Sequence, residues 1–452
     1  MVRSLDSDPC RGAAIVLLPI LLVVLLPGFV HAQTKRTFTP RISIEETYDD
    51  NIDLEANNTE SDWITTVSPG FNVAVDSEHT KLNLDVAGGY SFYASDSSQD
   101  TYLLGTTLSL DQRLASRLSM RLSDTFTRTD DPITEEEGAI TDVSRKRTVR
   151  YTNSGDASLS YQFGPEDRVT AGYRNRLYDS RSDDDEDSLG HEGYVTLVKW
   201  FGLRFGTELT GGVNRTTFEQ SQDFTDTSTG DFYDYSGGIT LNYRWEPSRR
   251  VYVRYTILDH RPDEIQAGTD GDTDNLNYLV HQGTLGFSLA LGPRTAFDAE
   301  GGYWSQNVDG GSKRNGYAFN TALSTRREKL SLRVAGSGGY EQSYFTSENL
   351  GFSKYYQGVG SADYQLTQDL AAFASGSYRW DKYYDTEDTA GENTDRIDKT
   401  WQAAAGFRYT FLRHLTLSLD GTHTDRSSDD PDEEFTDNRV TARLTWAYGI
   451  PF

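Results

Sequence analysis

The chain has 452 residues, a formal net charge of −26, 12% aromatic residues and a single cysteine, Cys10. An acidic excess of this size, with no basic stripe to interrupt it, repels polyanions and excludes nucleic-acid binding. One cysteine excludes disulfides and thiolate-based metal sites or catalysis, and a mean hydropathy of −0.62 leaves only the N-terminal segment apolar enough for a membrane-crossing helix.

In that segment Arg3 and Arg11 precede the apolar run Ala13 to Val30, and Val30-His31-Ala32 fits a small-residue cleavage site ahead of Gln33. The pattern predicts a Sec-type signal peptide over residues 1–32. A retained anchor is the competing reading, because the run approaches the length that spans a bilayer. Pro19, Pro27 and Gly28 favour removal. Residues 33–39 then form a short periplasmic lead, and residues 40–452 a single domain.

From about Pro40 onward one unit recurs: strand, polar acidic loop, strand, tight turn. The repeat predicts roughly ten hairpins and so about twenty strands, with about eighteen the next choice. Alternation at period 2 separates two faces. Leu82, Leu84, Val86, Tyr90 and Phe92 share one face, with Lys81, Asn83 and Asp85 on the other. Val251, Val253, Tyr255 and Ile257 oppose Tyr252, Arg254 and Thr256. Leu330, Leu332, Val334 and Tyr340 oppose Ser331, Arg333 and Ser337, and Leu415, Leu417 and Leu419 oppose Thr416, Ser418 and Asp420.

Connections alternate in length. Short turns fall at Asp76-Ser77-Glu78-His79, Gly164-Pro165-Glu166-Asp167, Glu246-Pro247-Ser248, Gly292-Pro293-Arg294 and Leu412-Arg413-His414. Longer loops are expected near 129–146, 180–190, 219–231, 262–275, 386–399 and 427–437. Aromatics gather at two levels, Tyr233, Tyr235, Trp380 and Tyr383 near the loops and Tyr161, Phe163, Tyr243 and Trp245 near the turns. A soluble sheet explains the residues but not two belts. Together these features predict an all-β fold. It is a single transmembrane antiparallel up-and-down β-barrel with short periplasmic turns and longer acidic extracellular loops. Such a barrel has an aqueous interior unless loops fold inward.

The loops carry acidic runs: Asp130, Asp131 and Glu135 to Glu137, Asp183 to Asp187, and Asp429 to Glu434. Solvated charged loops are the simplest reading. Divalent cations bridging to lipopolysaccharide phosphates are the alternative. Asp270, Asp272 and Asp274 alternate as Ca²⁺ ligands could, without the glycine and glutamate of a helix-loop-helix calcium loop. On the inward face Arg121, Arg150, Arg174, Arg176, Arg254, Arg333 and Arg379 recur, interleaved with Asp298 and Glu300. These are the candidate pore-lining residues, and cross-strand ion pairing is the simpler account of them. Arg204, Arg244, Arg408, Asp85, Asp156, Glu208 and Asp420 fall on the same face. With no single-sign ladder, strong ion selectivity is not expected. Inward Tyr178, Tyr252, Trp304 and Phe373 could stack on sugar rings, but scattered aromatics more often pack a lumen. The histidines His79, His191, His260, His281, His414 and His423 are isolated in sequence, and no Ser/His/acid grouping stands out. A non-enzyme without cofactor or metal follows.

The chain ends Val440-Thr441-Ala442-Arg443-Leu444-Thr445-Trp446-Ala447-Tyr448-Gly449-Ile450-Pro451-Phe452. Leu444, Trp446, Tyr448, Ile450 and Phe452 share a face and close on an aromatic carboxy-terminus. The pattern resembles the terminal signal of bacterial outer-membrane barrels, read by the barrel-assembly machinery; an edge strand of a soluble sandwich is the competing reading.

At the other end, Ile42-Ser43-Ile44-Glu45-Glu46-Thr47-Tyr48-Asp49-Asp50-Asn51-Ile52 is followed by Asp62-Trp63-Ile64-Thr65-Thr66-Val67-Ser68-Pro69-Gly70. This opening resembles the putative β-barrel porin 2 family, whose members begin with a Glu-x-Tyr-x-Asp-Asn-Ile strand and then a Ser-Pro-Gly strand. The resemblance implies a bacterial outer-membrane barrel and, since similar proteins are often encoded beside exopolysaccharide export systems, a role in passing polysaccharide. It offers no catalytic residues. The function read from the chain is a passive channel for hydrophilic solutes, with polysaccharide export the favoured cargo. The rivals are a structural or adhesive surface barrel with a plugged lumen and an outer-membrane enzyme. Expected partners are outer-membrane lipid and lipopolysaccharide, the assembly machinery and polysaccharide export components. Replacing Phe452 with serine should slow membrane insertion, and an unchanged yield of folded protein in cells would refute that.

Overall fold

The computed structural model describes residues 34–136, 138–144, 147–182, 185–219, 230–263, 277–309, 311, 313–346, 351–387 and 393–452. The signal-peptide segment and Asp270 to Asp274 lie outside them. Twenty wall strands follow one another among the described residues. The first five are β1 (Lys35–Asp49), β2 (Asp62–Asp76), β3 (Thr80–Tyr93), β4 (Thr101–Ala115) and β5 (Leu118–Thr129). Next come β6 (Arg150–Gln162), β7 (Arg168–Ser180), β8 (Asp187–Phe201), β9 (Phe205–Glu219) and β10 (Phe232–Glu246). They are followed by β11 (Arg249–Pro262), β12 (Tyr278–Gly292), β13 (Thr295–Val308), β14 (Lys313–Arg326) and β15 (Leu330–Ser343). The last are β16 (Gly351–Gln365), β17 (Leu370–Glu387), β18 (Asn393–Phe411), β19 (Leu415–Ser428) and β20 (Phe435–Ala447), which resumes at Ile450–Pro451.

Each strand pairs antiparallel with the next, and β20 pairs with β1 from Asp49↔Arg439 to Arg41↔Ala447, so the sheet closes. Closure is what lets a sheet sit in lipid, because no edge is left with unpaired N–H and C=O groups. The interruption in β20 lies opposite Pro40. Proline has no N–H to give the ladder; Tyr448 donates to the Pro40 carbonyl at 3.2 Å, and pairing resumes at Phe38↔Ile450. The barrel begins earlier than position 40, since Lys35 to Thr39 already pair with Asp76 to Asn72. Pro40 marks a gap in one ladder rather than a strand start.

Alternation decides which face meets lipid. Val253 is 53% exposed and Tyr255 44% on the outer wall, while Tyr252 and Arg254 between them point inward to Glu300. Along β9 the outward residues Phe205, Leu209 and Val213 are all exposed. They climb ~26 Å along the strand at its ordinary rise, or roughly 20 Å after tilt, close to the height of a barrel's apolar band. Outward aromatics edge that band: Trp63, Tyr90 and Tyr102 toward the loops, and Tyr161, Phe163, Phe201 and Trp245 toward the turns. The outer wall carries a repeated pair. Tyr173 meets His191 Nδ1 at 2.6 Å and Tyr255 meets His281 Nδ1 at 2.7 Å, each from the next strand. The seven alternate residues from Val440 to Phe452 likewise point outward, with Phe452 63% exposed.

The wall departs from a simple cylinder in one place. β14 and β15 pair only from Phe319↔Gly338 down to Arg326↔Ser331. Above that point β15 keeps β16 as its sole ladder partner, up to Ser343↔Gly351. The freed upper ends of β15 to β17 turn inside their neighbours. As a result Tyr340, Phe352 and Tyr384, which are in phase with the outward residues Val334, Tyr364 and Tyr378, pack on inward residues of β12 to β14. Tyr278, Val280, Trp304, Ala318 and Phe352 form the core of this overlap, with Tyr340 and Tyr384 against it. Trp304 is fully buried and meets the stacked pair Tyr340 and Phe352 edge-on. Its indole lies on Gly316, where an added Cβ would come within 2.9 Å of Nε1.

The connection between β5 and β6 also folds inward, as a two-stranded hairpin of Ile133–Glu136 and Ala139–Val143. Its tip crosses to the opposite wall, where Gln402 of β18 donates to Glu135 at 2.7 Å and Val359 of β16 lies against Gly138. Both wall residues sit near mid-strand, so the tip descends about half the height of the barrel. The expected loop at 386–399 is largely strand, because β17 runs to Glu387 and β18 begins at Asn393. Trp304→Ala should cost about 3–5 kcal/mol, the range for deleting a buried large aromatic. Urea unfolding in lipid vesicles measures this.

Candidate functional site: the lumen and its inward loops

Ion pairs run across the inner wall, between adjacent strands or over one intervening strand. Arg121 pairs with Asp111 at 2.8 Å, Arg254 with Glu300 at 3.1 Å, and Arg174 with Asp156 at 3.3 Å and Glu192 at 2.8 Å. Arg41 with Asp85 and Arg443 with Glu45 repeat the arrangement. Arg379 is buried and bridges Asp381 and Glu341 on the overlapped strands. Each pair keeps a charge hydrated or compensated at little net cost. The result is a wall without a dominant sign.

The sequence-derived set divides by position. Arg121, Arg174, Arg254 and Glu300 stand in cross-strand pairs on this wall. Glu300 is the hub, taking Arg254, Tyr252 at 3.0 Å and Thr284. Asp298, one turn of the pleat below Glu300, and Arg333, in phase with Ser331 and Ser337, face the same way. Arg150 is buried and donates to Thr134 Oγ1 at 3.0 Å, holding the hairpin rather than lining open space. Arg176 lies beside Phe345 of the β15–β16 connection, 6.0 Å from its ring. Of the inward aromatics, Trp304 and Tyr178 are buried and Tyr252 is bonded to Glu300.

The base of the hairpin is clamped to the seam between β1 and β20. Asp49 is fully buried and accepts from Arg147 at 2.9 Å, with Arg439 Nε at 3.1 Å. Arg439 also reaches Asp131 at 3.1 Å and Asp437 at 2.8 Å. The neighbouring Asn51 closes a turn, taking the Glu55 N–H and giving its amide to the carbonyls of Glu55 and Thr436. A buried arginine fork shared by several carboxylates is worth keeping only when all are satisfied together. It therefore orients whatever it holds, here the hairpin. Asp49, Asp50 and Asp437 lie close enough to share a cation, with the Arg439 guanidinium already against two of them. A second clamp joins β18, β19 and the β19–β20 connection, where Asp398 and Glu433, both buried, share Arg396 and Arg426.

The β15–β16 connection adds a cross-lumen contact. Tyr344 is buried against Phe232 at 4.6 Å and stacked near His260 at 6.0 Å. His260 bonds Asp234 at 2.8 Å and stacks on Tyr278 at 4.3 Å. Beyond it, Phe345 reaches Gly190 of β8, where an added Cβ would meet its ring at 2.6 Å. Only a residue without a side chain allows that approach.

Sequence reasoning missed the residues that pack the inward hairpin against the seam. Leu54, Ile140, Val143 and Phe435 form a buried cluster beside the clamp. The signal was present in Ala139-Ile140-Thr141-Asp142-Val143, an alternating run with β-branched residues inside an otherwise polar loop. Two of the acidic-loop residues are buried in ion-paired clusters, Asp130 and Glu433, while Glu135, Glu136, Asp429, Asp432 and Glu434 are exposed as expected.

No curated protein matches the chain. Among solved structures, the ferric enterobactin receptor PfeA of Pseudomonas aeruginosa aligns with a TM-score of 0.50 at 10% identity, over 93% of this chain and 82% of that one. OpdK of Pseudomonas aeruginosa, solved with vanillate, aligns over 94% of this chain and all of that one, at 11% identity and a TM-score of 0.38. OccK2 (OpdF) of the same organism, in complex with glucuronate, covers 93% and 98% at 11% identity and 0.40. The first of these likenesses concerns the fold alone. In sequence, the model of the putative β-barrel porin 2 family matches residues 36–448, from the first wall strand to the last. The chain therefore belongs to the putative β-barrel porin 2 family.

Proposed function

We propose that this porin-like outer-membrane barrel is a channel for hydrophilic solutes whose extracellular half is narrowed from within. The observation that carries the reading is the hairpin 133–143, clamped at its base by Arg147 and Arg439 and bonded at its tip through Glu135 to Gln402. A barrel of twenty strands is wide enough to hold water, and a fixed inward hairpin sets the narrowest passage. The pore-lining residues are Arg121, Arg174, Arg176, Arg254, Arg333, Asp298 and Glu300, with Arg150 and Arg379 supporting the in-folded parts. Balanced charge along this wall imposes no strong preference for the sign of a hydrophilic solute, which moves without energy coupling. Polysaccharide passing outward is the favoured cargo, a reading that rests on the family resemblance. The processed chain reaches the outer membrane through its signal peptide and is assembled from the aromatic terminus ending at Phe452.

The in-folded strands and hairpin also favour a second reading, a surface barrel with a filled lumen. A hydrolytic role draws little from the histidines: His191 and His281 face outward against tyrosines, and His260 is buried in an aromatic stack. Conductance in planar bilayers separates the first two readings. Stable open steps support a channel and silence supports the filled barrel. Deleting residues 133–143 should raise single-channel conductance several-fold while the protein still migrates as a folded barrel; unchanged conductance would show that the hairpin does not set the passage.

A further inference from the structure

Under the Phe345 contact lies a cavity of about 170 Å³ on the inner wall, lined by Arg176, Glu192, Asn214, Ser236, Gln342 and Phe345 among others. A single water needs only about 10–15 Å³ of such space, so the cavity holds many waters and admits one sugar ring. Its two arginines differ. Arg174 is neutralised by Asp156 and Glu192. Arg176 makes no hydrogen bond or ion pair among the described residues; it is exposed on the inner wall, with the Phe345 ring 6.0 Å from its guanidinium carbon.

We infer that this cavity binds a sugar unit bearing a carboxylate. Resting on the channel reading above, the inference names the class of solute that the lumen recognises. The Arg176 fork matches a carboxylate bidentately. Ser236, and the carbonyl oxygen of Asn214, whose amide already donates to Thr216 at 3.1 Å, can bond ring hydroxyls. The Phe345 ring supplies an apolar face against which the C–H edge of a pyranose lies favourably. Glu192 and Asp234 on the other side limit the site to one carboxylate per unit, since a second would meet like charge. Gly190 is part of the device, because its bare backbone is what lets Phe345 reach the wall.

The test is isothermal titration of the processed protein in detergent with galacturonate, galactose, acetate and phosphate, alongside bilayer conductance of the same preparation. Galacturonate should bind at least about tenfold more tightly than each of the others, as loss of a charge-assisted bond implies. Arg176→Gln should erase that preference, and Arg176→Lys should keep part of it. If galacturonate binds no better than acetate or phosphate, or Arg176→Gln changes nothing, the inference is overturned. Should Arg176→Gln fail to fold, the ligand series on the unaltered protein and Arg176→Lys still decide. Binding with silent bilayers leaves this site standing and removes the channel; conductance without galacturonate preference does the reverse.

Discussion

A sheet in lipid has no tolerance for an unpaired edge, and the rest of this structure depends on how that demand is met. At the junction of first and last strands it is met by hydrogen bonds along most of their length, with one break where Pro40 has no N–H to offer. At the junction of β14 and β15 the ladder stops at Phe319↔Gly338. There the edge is covered instead, by tucking β15 to β17 inside β12 to β14 and filling the space with Trp304, Phe352 and Tyr278. Two physical means, ladder pairing and apolar packing, close one ring.

The same division runs through the charges. On the wall they form exposed cross-strand pairs that contribute little stability and leave the lumen wet. At the mouth they are buried in arginine forks, Arg147 and Arg439 at one place and Arg396 and Arg426 at another. Buried ion pairs are weak evidence of stability but strong orienting devices. In this barrel they fix where the inward hairpin enters and where the β19–β20 connection sits.

Closure, strand number and the outward set were legible because each follows from period-2 alternation, which a residue shows on its own. Val251 to Ile257 and Leu415 to Leu419 needed no partner to be read. The Asp49-Asp50-Asn51 motif was legible as a family mark but not as a clamp, since its partners Arg147 and Arg439 lie far along the chain. The overlap could not be read at all. Tyr340 and Phe352 alternate as lipid-facing residues do, and only the early end of one ladder turns that greasy face onto protein. The inner-wall arginines were visible as a set, but their division into paired, buried and unpartnered members depends on strand register. Register is set across strands rather than along them.

The overlapping ends have a further consequence for how the molecule meets its surroundings. Below the point where β14 and β15 part, the chain obeys the rules of hydrocarbon, greasy outside and wet inside. Above it, two sheet layers face one another across Trp304 and Phe352 as in a water-soluble sandwich. The upper section thus adds to its ladders the apolar burial of Trp304 and Phe352, whose strength falls on cooling. The lower section has a ladder at every junction, β14 with β15 included. One junction of the ring is therefore fastened by apolar packing where the others are fastened by ladders, and at that junction the rim can loosen while the hoop beneath it holds.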